Sequence, residues 1–476
     1  MKLFKYSAYT VGTILFAVAA GCVSYKPPPD IIHADSYTGE STQQHRTLPP
    51  DYKVLNVEDA VNISLANNPT YKQARLAMIQ AYSVYYGGIL NNFTPGMKYG
   101  WTGTQSQSPN GSGGGPGGEG NNYTQNLGAS WNVFSGMTGV MGTLSNLSGA
   151  KSKEELERNA RRLLIYSVKA GYYQVLLDKA NVQIDMANEA FQEQMVNDTQ
   201  LKFDAGASSL ADLLQYKTQR NQAQVAVIGD TAKYYNDRYA LAALMGLTTA
   251  DIPSNTNFPS LDILDDKGYA LPVEFYLDMA INQRPDLQSS KELLKAAKYN
   301  LYSAWGAFSP TAALNWNMGT LNSTTSRSTQ QPLTSSYSNR NYDYGATVNW
   351  VLWDGGGLGG GNTGNRITEV RYQQAAYDSA TEGLTATWIS VAANVRTAYT
   401  SLSSNIATRK IQGATLAMQK ESRDLTVDQY NAGSVDITRL NTAQNSLVAV
   451  ELGYVQSVIN VAVSRAALDA ACGIRE

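Results

Sequence analysis

Few residues of this 476-residue chain have types and spacings that could do chemistry. It has two cysteines, Cys22 and Cys472, and two histidines, His33 and His45. So few soft ligands, so far apart, build no metal cluster. No Asp-rich loop offers oxygens to a hard cation. Ser/His/Asp, Cys/His and Walker patterns are missing, which argues against an enzyme. Gly355-x-Gly357-x-x-Gly360 matches a dinucleotide fingerprint between a strand and a helix. That fingerprint needs a parallel sheet whose buried strand is apolar throughout, whereas the residues before Gly355 alternate apolar and polar. A tight corner from strand to helix accounts for the glycines, and nothing calls for a cofactor. The formal net charge of −2 leaves no electrostatic footprint for nucleic acid.

The residue with a chemical fate is Cys22. Lys2 and Lys5 precede an apolar run from Val11 to Ala20, then Gly21-Cys22. This is the layout of a secretory signal peptide, residues 1–21, with a run too short to span a bilayer. Ala19-Ala20-Gly21-Cys22 resembles a bacterial lipobox, with Ala19 where leucine is usual. Cys22 is therefore expected to become a lipidated first residue. Residues 22–55 hold Pro27, Pro28, Pro29, Pro49 and Pro50 and read as an extended tether.

The elements that follow occur twice. Glu58 and Pro69 correspond to Glu274 and Pro285 at an offset of 216, and Phe203-x-x-Gly206 corresponds to Tyr430-x-x-Gly433 at 227. Residues 56–252 form one repeat, 253–269 a connector, and 270–476 the second repeat. Each repeat opens with a helix broken at a proline. Two strands of about ten residues follow, expected at ~97–106 and ~123–134 in the first copy and ~311–321 and ~341–353 in the second. Along them Tyr99, Trp101, Tyr123, Trp131, Trp316, Tyr342, Tyr344 and Trp350 share an apolar face, while Gly, Asn, Thr and Ser hold the other. Apolar-out, polar-in strands with flanking aromatics fit transmembrane β-strands, the aromatics lying at the membrane interfaces. A long helical hairpin closes each repeat, at ~148–247 and ~364–472. Gly206 and Gly433 suit the left-handed position after a helix, and Ser209 and Asp436 suit N-caps of the returning helices.

Four strands cannot close a membrane barrel, and an open edge in lipid leaves unsatisfied backbone groups. The barrel must be shared between copies; three would give twelve strands and a passage. With this order of elements, the paired Trp131–Gly136 and Trp350–Gly355 strand ends and the two tip turns, the chain resembles the TolC-like outer-membrane factors, lipoprotein subgroup. The resemblance implies a mixed α and β membrane protein: a homotrimer with a 12-stranded β-barrel in the outer membrane, continuous with a long α-helical barrel in the periplasm. It implies the exit duct of a tripartite efflux pump, served by a periplasmic adaptor and an inner-membrane transporter; the outer-membrane component of type I secretion, or a stand-alone porin, are the alternatives. It also implies that the tips, Gly206, Ala207, Ser208, Gly433, Ser434 and Val435, meet the adaptor. Asp212, Tyr430 and Arg439 would close the aperture, with Asp212 and Arg439 as an ion pair.

Overall fold

The computed structural model describes residues 48, 52–110, 116–259, 271–327, 334–351 and 362–474. Cys22, Trp353 and the Gly355–Gly360 motif lie outside them. In order come α1 (Val57–Asn67), α2 (Pro69–Phe93), β1 (Gly96–Asn110), β2 (Pro116–Ser135), α3 (Thr138–Asp204) and α4 (Leu210–Leu244), then α5 (Val273–Gln283), α6 (Pro285–Gly306), β3 (Thr311–Arg327), β4 (Thr334–Asn349), α7 (Asn362–Asn431) and α8 (Ile437–Cys472).

The strands form one antiparallel sheet in the order β1-β2-β3-β4. The last strand of the first repeat thus pairs with the first strand of the second, from Ser135↔Thr311 to Gly118↔Arg327. The strands run longer than their alternation of apolar and polar residues suggests. β1 continues to Asn110 and β4 begins at Thr334, because polar stretches without an apolar face still satisfy their backbone in the ladder.

α3 spans 67 residues and α7 spans 70, each on the order of 100 Å. The expected start of the first hairpin near residue 148 is corrected to Thr138. Gly139 and Gly142 lie inside the helix rather than in a corner, and Gly139 is there because its neighbours leave no room: a Cβ would sit 2.6 Å from Ser135 Oγ. The corner itself needs only Gly136 and Met137, both at positive φ. Gly136 packs back to back with Gly306, where a Cβ on Gly136 would lie 2.5 Å from the Gly306 carbonyl oxygen.

Two equivalent cores hold the repeats. In the first, Leu164, Val168, Tyr172 and Val175 of α3 pack with Leu241 and Met245 and with Leu55 and Ala60. In the second, Val391, Val395 and Leu402 of α7 pack with Leu468 and Cys472 and with Tyr276 and Ala280. Cys472 is fully buried and takes the place of Met245 at the offset of 227; burial pushes its thiol up to about 12 and leaves it inert. Leu48 and Leu55 are buried in the first core, so the expected tether of 22–55 does not extend unpacked to its end. Tyr172 Oη donates to the Leu55 carbonyl at 2.8 Å and fixes that stretch. α8 is long and apolar enough to cross a membrane; here Leu440, Leu447, Val458, Ile459, Val461 and Leu468 are buried against the other helices.

Candidate functional site

Each repeat is locked at the same place by a mechanism the sequence did not announce. Gly246 and Gly473, at φ +70° and +75°, end α4 and α8. Each is pressed onto the proline break at the start of its own repeat: a Cβ on Gly246 would meet the Asn67 and Asn68 backbone at 2.8–2.9 Å, and one on Gly473 the Gln283 and Arg284 backbone at 3.0–3.1 Å. The residue before the proline caps the arriving helix. Asn68 Nδ2 donates to the Leu244 carbonyl at 2.9 Å, and Arg284 Nη1 to that of Ala471 at 3.2 Å. Arg284 is nearly buried and keeps Asp286 at 2.9 Å. The shared offset of 227 between Gly246 and Gly473 was the available signal.

The sheet has two chemically opposite faces. On one, Gly100, Thr102, Thr124, Asn126, Asn317, Gly319, Asn341 and Asp343 line a polar hollow of about 840 Å³. The other carries rows such as Met97, Ala129, Trp316 and Tyr344, then Tyr99, Leu127, Met318 and Tyr342. The next row, Trp101, Gln125, Thr320 and Arg340, turns polar. The apolar band therefore ends near Trp101 and Tyr342, well before the strands do. Trp101 and Tyr123 stack 6.2 Å apart over Gly103, whose missing side chain leaves room for both rings. Trp350, at the other margin, donates its Nε1–H to the Phe308 carbonyl at 3.1 Å. Trp131, Trp316 and Tyr344 stand on the same apolar face, in rows between these two margins.

Both hairpin tips close as helix C-caps. Gly206 and Gly433 have φ +76° and +72°, and Ala207 N and Ser434 N reach back to the Lys202 and Gln429 carbonyls at 2.7 and 2.9 Å. Ser209 accepts from Asp212 N while Asp212 Oδ2 accepts from Ser209 N at 3.2 Å, a complete capping box. The same carboxylate takes the hydroxyls of Ser209 and Ser208, and these hydrogen bonds hold its pKa below the usual carboxylate range. Asp436 caps α8 by accepting from Arg439 N at 3.0 Å. Within one chain Asp212 and Arg439 form no ion pair among the described residues; the Asp212 carboxylate is occupied by its own cap. Tyr430 is instead tied to the first hairpin: Lys202 Nζ donates to its hydroxyl at 3.1 Å and lies 4.4 Å from its ring centroid. Ala207, Ser434 and both glycines are exposed, and Ser208 and Val435 are half-buried. Beneath them Met195, Val196, Tyr216 and Leu440 join the two hairpins in a small apolar cluster. Lys202 and Tyr216 have no counterpart in the other repeat and so escaped a reading built on the duplication.

Comparison with known proteins places these features in a family. The family model described as outer membrane efflux protein matches residues 60–247 and 276–474, the two repeats in turn. The probable efflux pump outer membrane protein TtgC of Pseudomonas putida is 27% identical over 269 residues, 56% of this chain and 54% of that protein. The solvent efflux pump outer membrane protein SrpC of Pseudomonas putida is 29% identical over 188 residues, 39% of each chain. The chain thus aligns with about half the length of the first of these, or less. Among solved structures, the Campylobacter jejuni CmeC outer membrane channel superposes with a TM-score of 0.73 at 17% identity, covering 94% of both chains. The open state of the Neisseria gonorrhoeae MtrE outer membrane channel gives 0.68 at 18%, covering 88% of both.

Proposed function

Because the chain belongs to the outer membrane efflux protein family, we propose that it is the outer-membrane exit duct of a tripartite efflux pump, built from three copies. The observation that carries this reading is the open sheet. Among the described residues β1 and β4 each have one free edge, and in lipid each unpaired backbone group costs several kcal/mol. The polar face is lined with small uncharged side chains for the most part, which suits a wide aqueous passage without strong selectivity. An eight-stranded barrel from two copies would fill with side chains; three copies leave a passage.

The duplication supports one way for copies to join. Within the chain, α3 of the first repeat packs on α6 of the second through Ser152 and Ser289, 2.9 Å apart, and through Ser145 Oγ donating to the Ala296 carbonyl. It meets α8 through Asn188 and Gln444. The equivalent of α3 is α7, which exposes Ile389, Ile411, Met418 and Leu425. The equivalents of α6 and α8 are α2 and α4, which expose Leu76, Ile79 and Leu90, and Leu214, Val225 and Ile228. α7 of one copy then packs on α2 and α4 of the next, closing a helical tube below the barrel. Cys22 would anchor each copy to the outer membrane by lipid. The tips around Gly206–Ser208 and Gly433–Val435 would receive the adaptor, which links the duct to the inner-membrane transporter, and Asp212, Tyr430 and Arg439 would line the aperture.

The test is the mass of the protein solubilised from outer membranes, followed by conductance in planar bilayers. A particle of about three times 51.6 kDa with a stable aqueous conductance is expected. A monomer, or protein recovered soluble, would overturn the reading.

A further inference from the structure

The first hairpin contains four aspartates in a pattern the duct reading does not use. Asp178 and Asp185 lie on α3, seven residues apart; Asp230 and Asp237 lie on α4, also seven apart. In the antiparallel hairpin Gly171 faces Leu244, with a Cβ at 171 falling 3.3 Å from Leu244 Cδ1. The same register puts Asp178 opposite Asp237 and Asp185 opposite Asp230. Seven residues are two helical turns, so both pairs fall on one seam.

Asp178 is 3% exposed and Asp185 5%. Gln174 Nε2 donates to Asp178 Oδ1 at 3.2 Å. Asp178 Oδ2 is buried with no N–H donor; what it faces is the carboxyl of Asp237. Two carboxylates cannot both stay ionised in such a seam, whereas one proton between them makes a hydrogen bond.

We propose that the first hairpin binds protons at two carboxyl pairs, Asp178–Asp237 and Asp185–Asp230, and that these shared protons clasp α3 to α4. The second hairpin is an internal control. At the offset of 227 the four positions become Asn405, Gln412, Ser457 and Ser464, which keep polarity and discard charge. Asn405 Nδ2 there donates to the Asn460 carbonyl at 3.3 Å without needing a proton from solution.

The surrounding charges support this. Burial first, then the hydrogen bond and charge of Asp237, push Asp178 up to about 7 against the opposing donation from Gln174. Burial first, then Asp230, push Asp185 up to about 6 against the lowering effect of Lys233. Lys233 is largely exposed and bonded to Asp230 at 2.7 Å, so it partly neutralises the second pair. Among the described residues the other cations around α3 are engaged elsewhere: Arg465 of α8 lies by Tyr173, and Arg238 of α4 donates to the Ile252 and Pro253 carbonyls. On α8, Glu451 is held by Lys420 of α7 at 3.4 Å. Lys179 on α3 itself turns to the Phe258 carbonyl at 2.6 Å. Glu58 and Asp59 of α1 act on Lys169 and Tyr172 instead.

A carboxyl whose pKa is raised by folding stabilises the fold below its unfolded pKa of about 4, and that stabilisation is lost as pH rises through the folded value. The hairpin is therefore clasped in acid and loosens between about pH 4 and 7. For each pair, each pH unit between the unfolded and folded titration points changes the opening equilibrium by up to about tenfold.

Hydrogen exchange of the full-length, detergent-solubilised protein tests this, with rates corrected for the intrinsic pH dependence of exchange. Backbone amides around 174–189 and 226–241 should lose at least about tenfold in protection from pH 5 to pH 8, while those around 401–416 and 453–468 should not change. Asp178→Asn with Asp185→Asn should abolish the difference and leave the first hairpin as protected at pH 8 as the wild type is at pH 5. Equal pH dependence in both hairpins, or none in either, would overturn the proposal. So would protection at pH 8 that depends on added calcium and is removed by a chelator, since the pairs would then hold a cation and not a proton. None of these outcomes depends on whether the assembled protein conducts.

Discussion

Among the described residues five glycines have positive φ, at Gly136, Gly206, Gly246, Gly433 and Gly473, yet a methyl group would mean different things at each. At Gly206 and Gly433 nothing lies within 4 Å of a built Cβ. Alanine there suffers only the left-handed penalty of about 1–2 kcal/mol. At Gly246 the same methyl meets three backbone atoms of Asn67 and Asn68 at 2.8–2.9 Å, and backbone cannot swing aside as a side chain can. Gly246→Ala is expected to destabilise by about 3 kcal/mol or more, in the range of the severe backbone substitutions. Gly206→Ala should cost about 1–2 kcal/mol. Thermal denaturation of the two purified variants, side by side with wild type, checks the order; equal losses would mean that the α4 end is not locked on the proline break. The tip glycines were legible because an aromatic, an alanine and a cap residue frame them. Gly246 was not, since Met245-Gly246-Leu247 looks like any helix end and its partner lies some 180 residues back in the chain, at Asn67.

Between elements, the seam joining the two hairpins is unlike any surface the sequence led us to expect. The apolar spacing of α8, Leu440, Leu447 and Val458 among others, reads as a coiled-coil stripe, and those residues are buried. Between them lie Asn441, 3% exposed, and Gln444, 6% exposed, and on α3 Gln192 is 1% exposed. Gln444 Nε2 donates to Asn188 Oδ1 at 3.2 Å. Both amide atoms of Gln192 and both of Asn441 have no protein partner. Each buried, unpaired group costs about 1–3 kcal/mol. Gln192→Leu combined with Asn441→Leu is therefore expected to raise the denaturation midpoint by several degrees, and either change alone to raise it by less. A lower midpoint in the double variant would show that the amides are satisfied by bridging water. Patterning of this kind is invisible at the level of one helix, because Gln and Asn are equally good residues for a solvated face; only the partner helix reveals that the face is buried. The same limit hid the aspartate pairs, although their heptad spacing was in view. The broken helices at Pro69 and Pro285, the alternating strands and the duplicated turns were legible because each rests on a rule local to its own stretch of chain. The start of α3 was misjudged for the opposite reason. Gly139, Gly142 and Gly149 each lower local helix propensity by about 1 kcal/mol, and packing against Asn92 and Gly306 overrides that preference.

For the whole molecule, the sheet itself limits how three copies can close. The hydrogen-bonded row through Gly96 leads across to Ser130, Asn315 and Gly345. β2 runs on from Ser130 to Ser135 and β4 from Gly345 to Asn349 before leaving the sheet. The rows climb relative to the strand ends, as strands tilted by about 35–45° require. Closure that brings the strand ends to one level puts Gly96 of the next copy opposite Asn349 or, two residues on, Val351. A shift of one residue is forbidden, since it would turn every polar side chain of the inner face toward lipid. Thr102 of one copy then lies opposite Asp343 or Gly345 of its neighbour, all three on the polar face. Thr102→Cys paired with Asp343→Cys, or with Gly345→Cys, should form a disulfide between copies under mild oxidation, read as a ladder up to trimer on a denaturing, non-reducing gel. Within one chain these strands stand at opposite edges of the sheet, three spacings or about 14 Å apart, beyond the ~7 Å reach of a disulfide. Thr102→Cys with Tyr344→Cys should not link, because Tyr344 is 87% exposed on the outer face. If neither permitted pair links in a protein that sediments as a trimer, β4 does not meet β1 of the next copy, and the shared barrel must close in some other way.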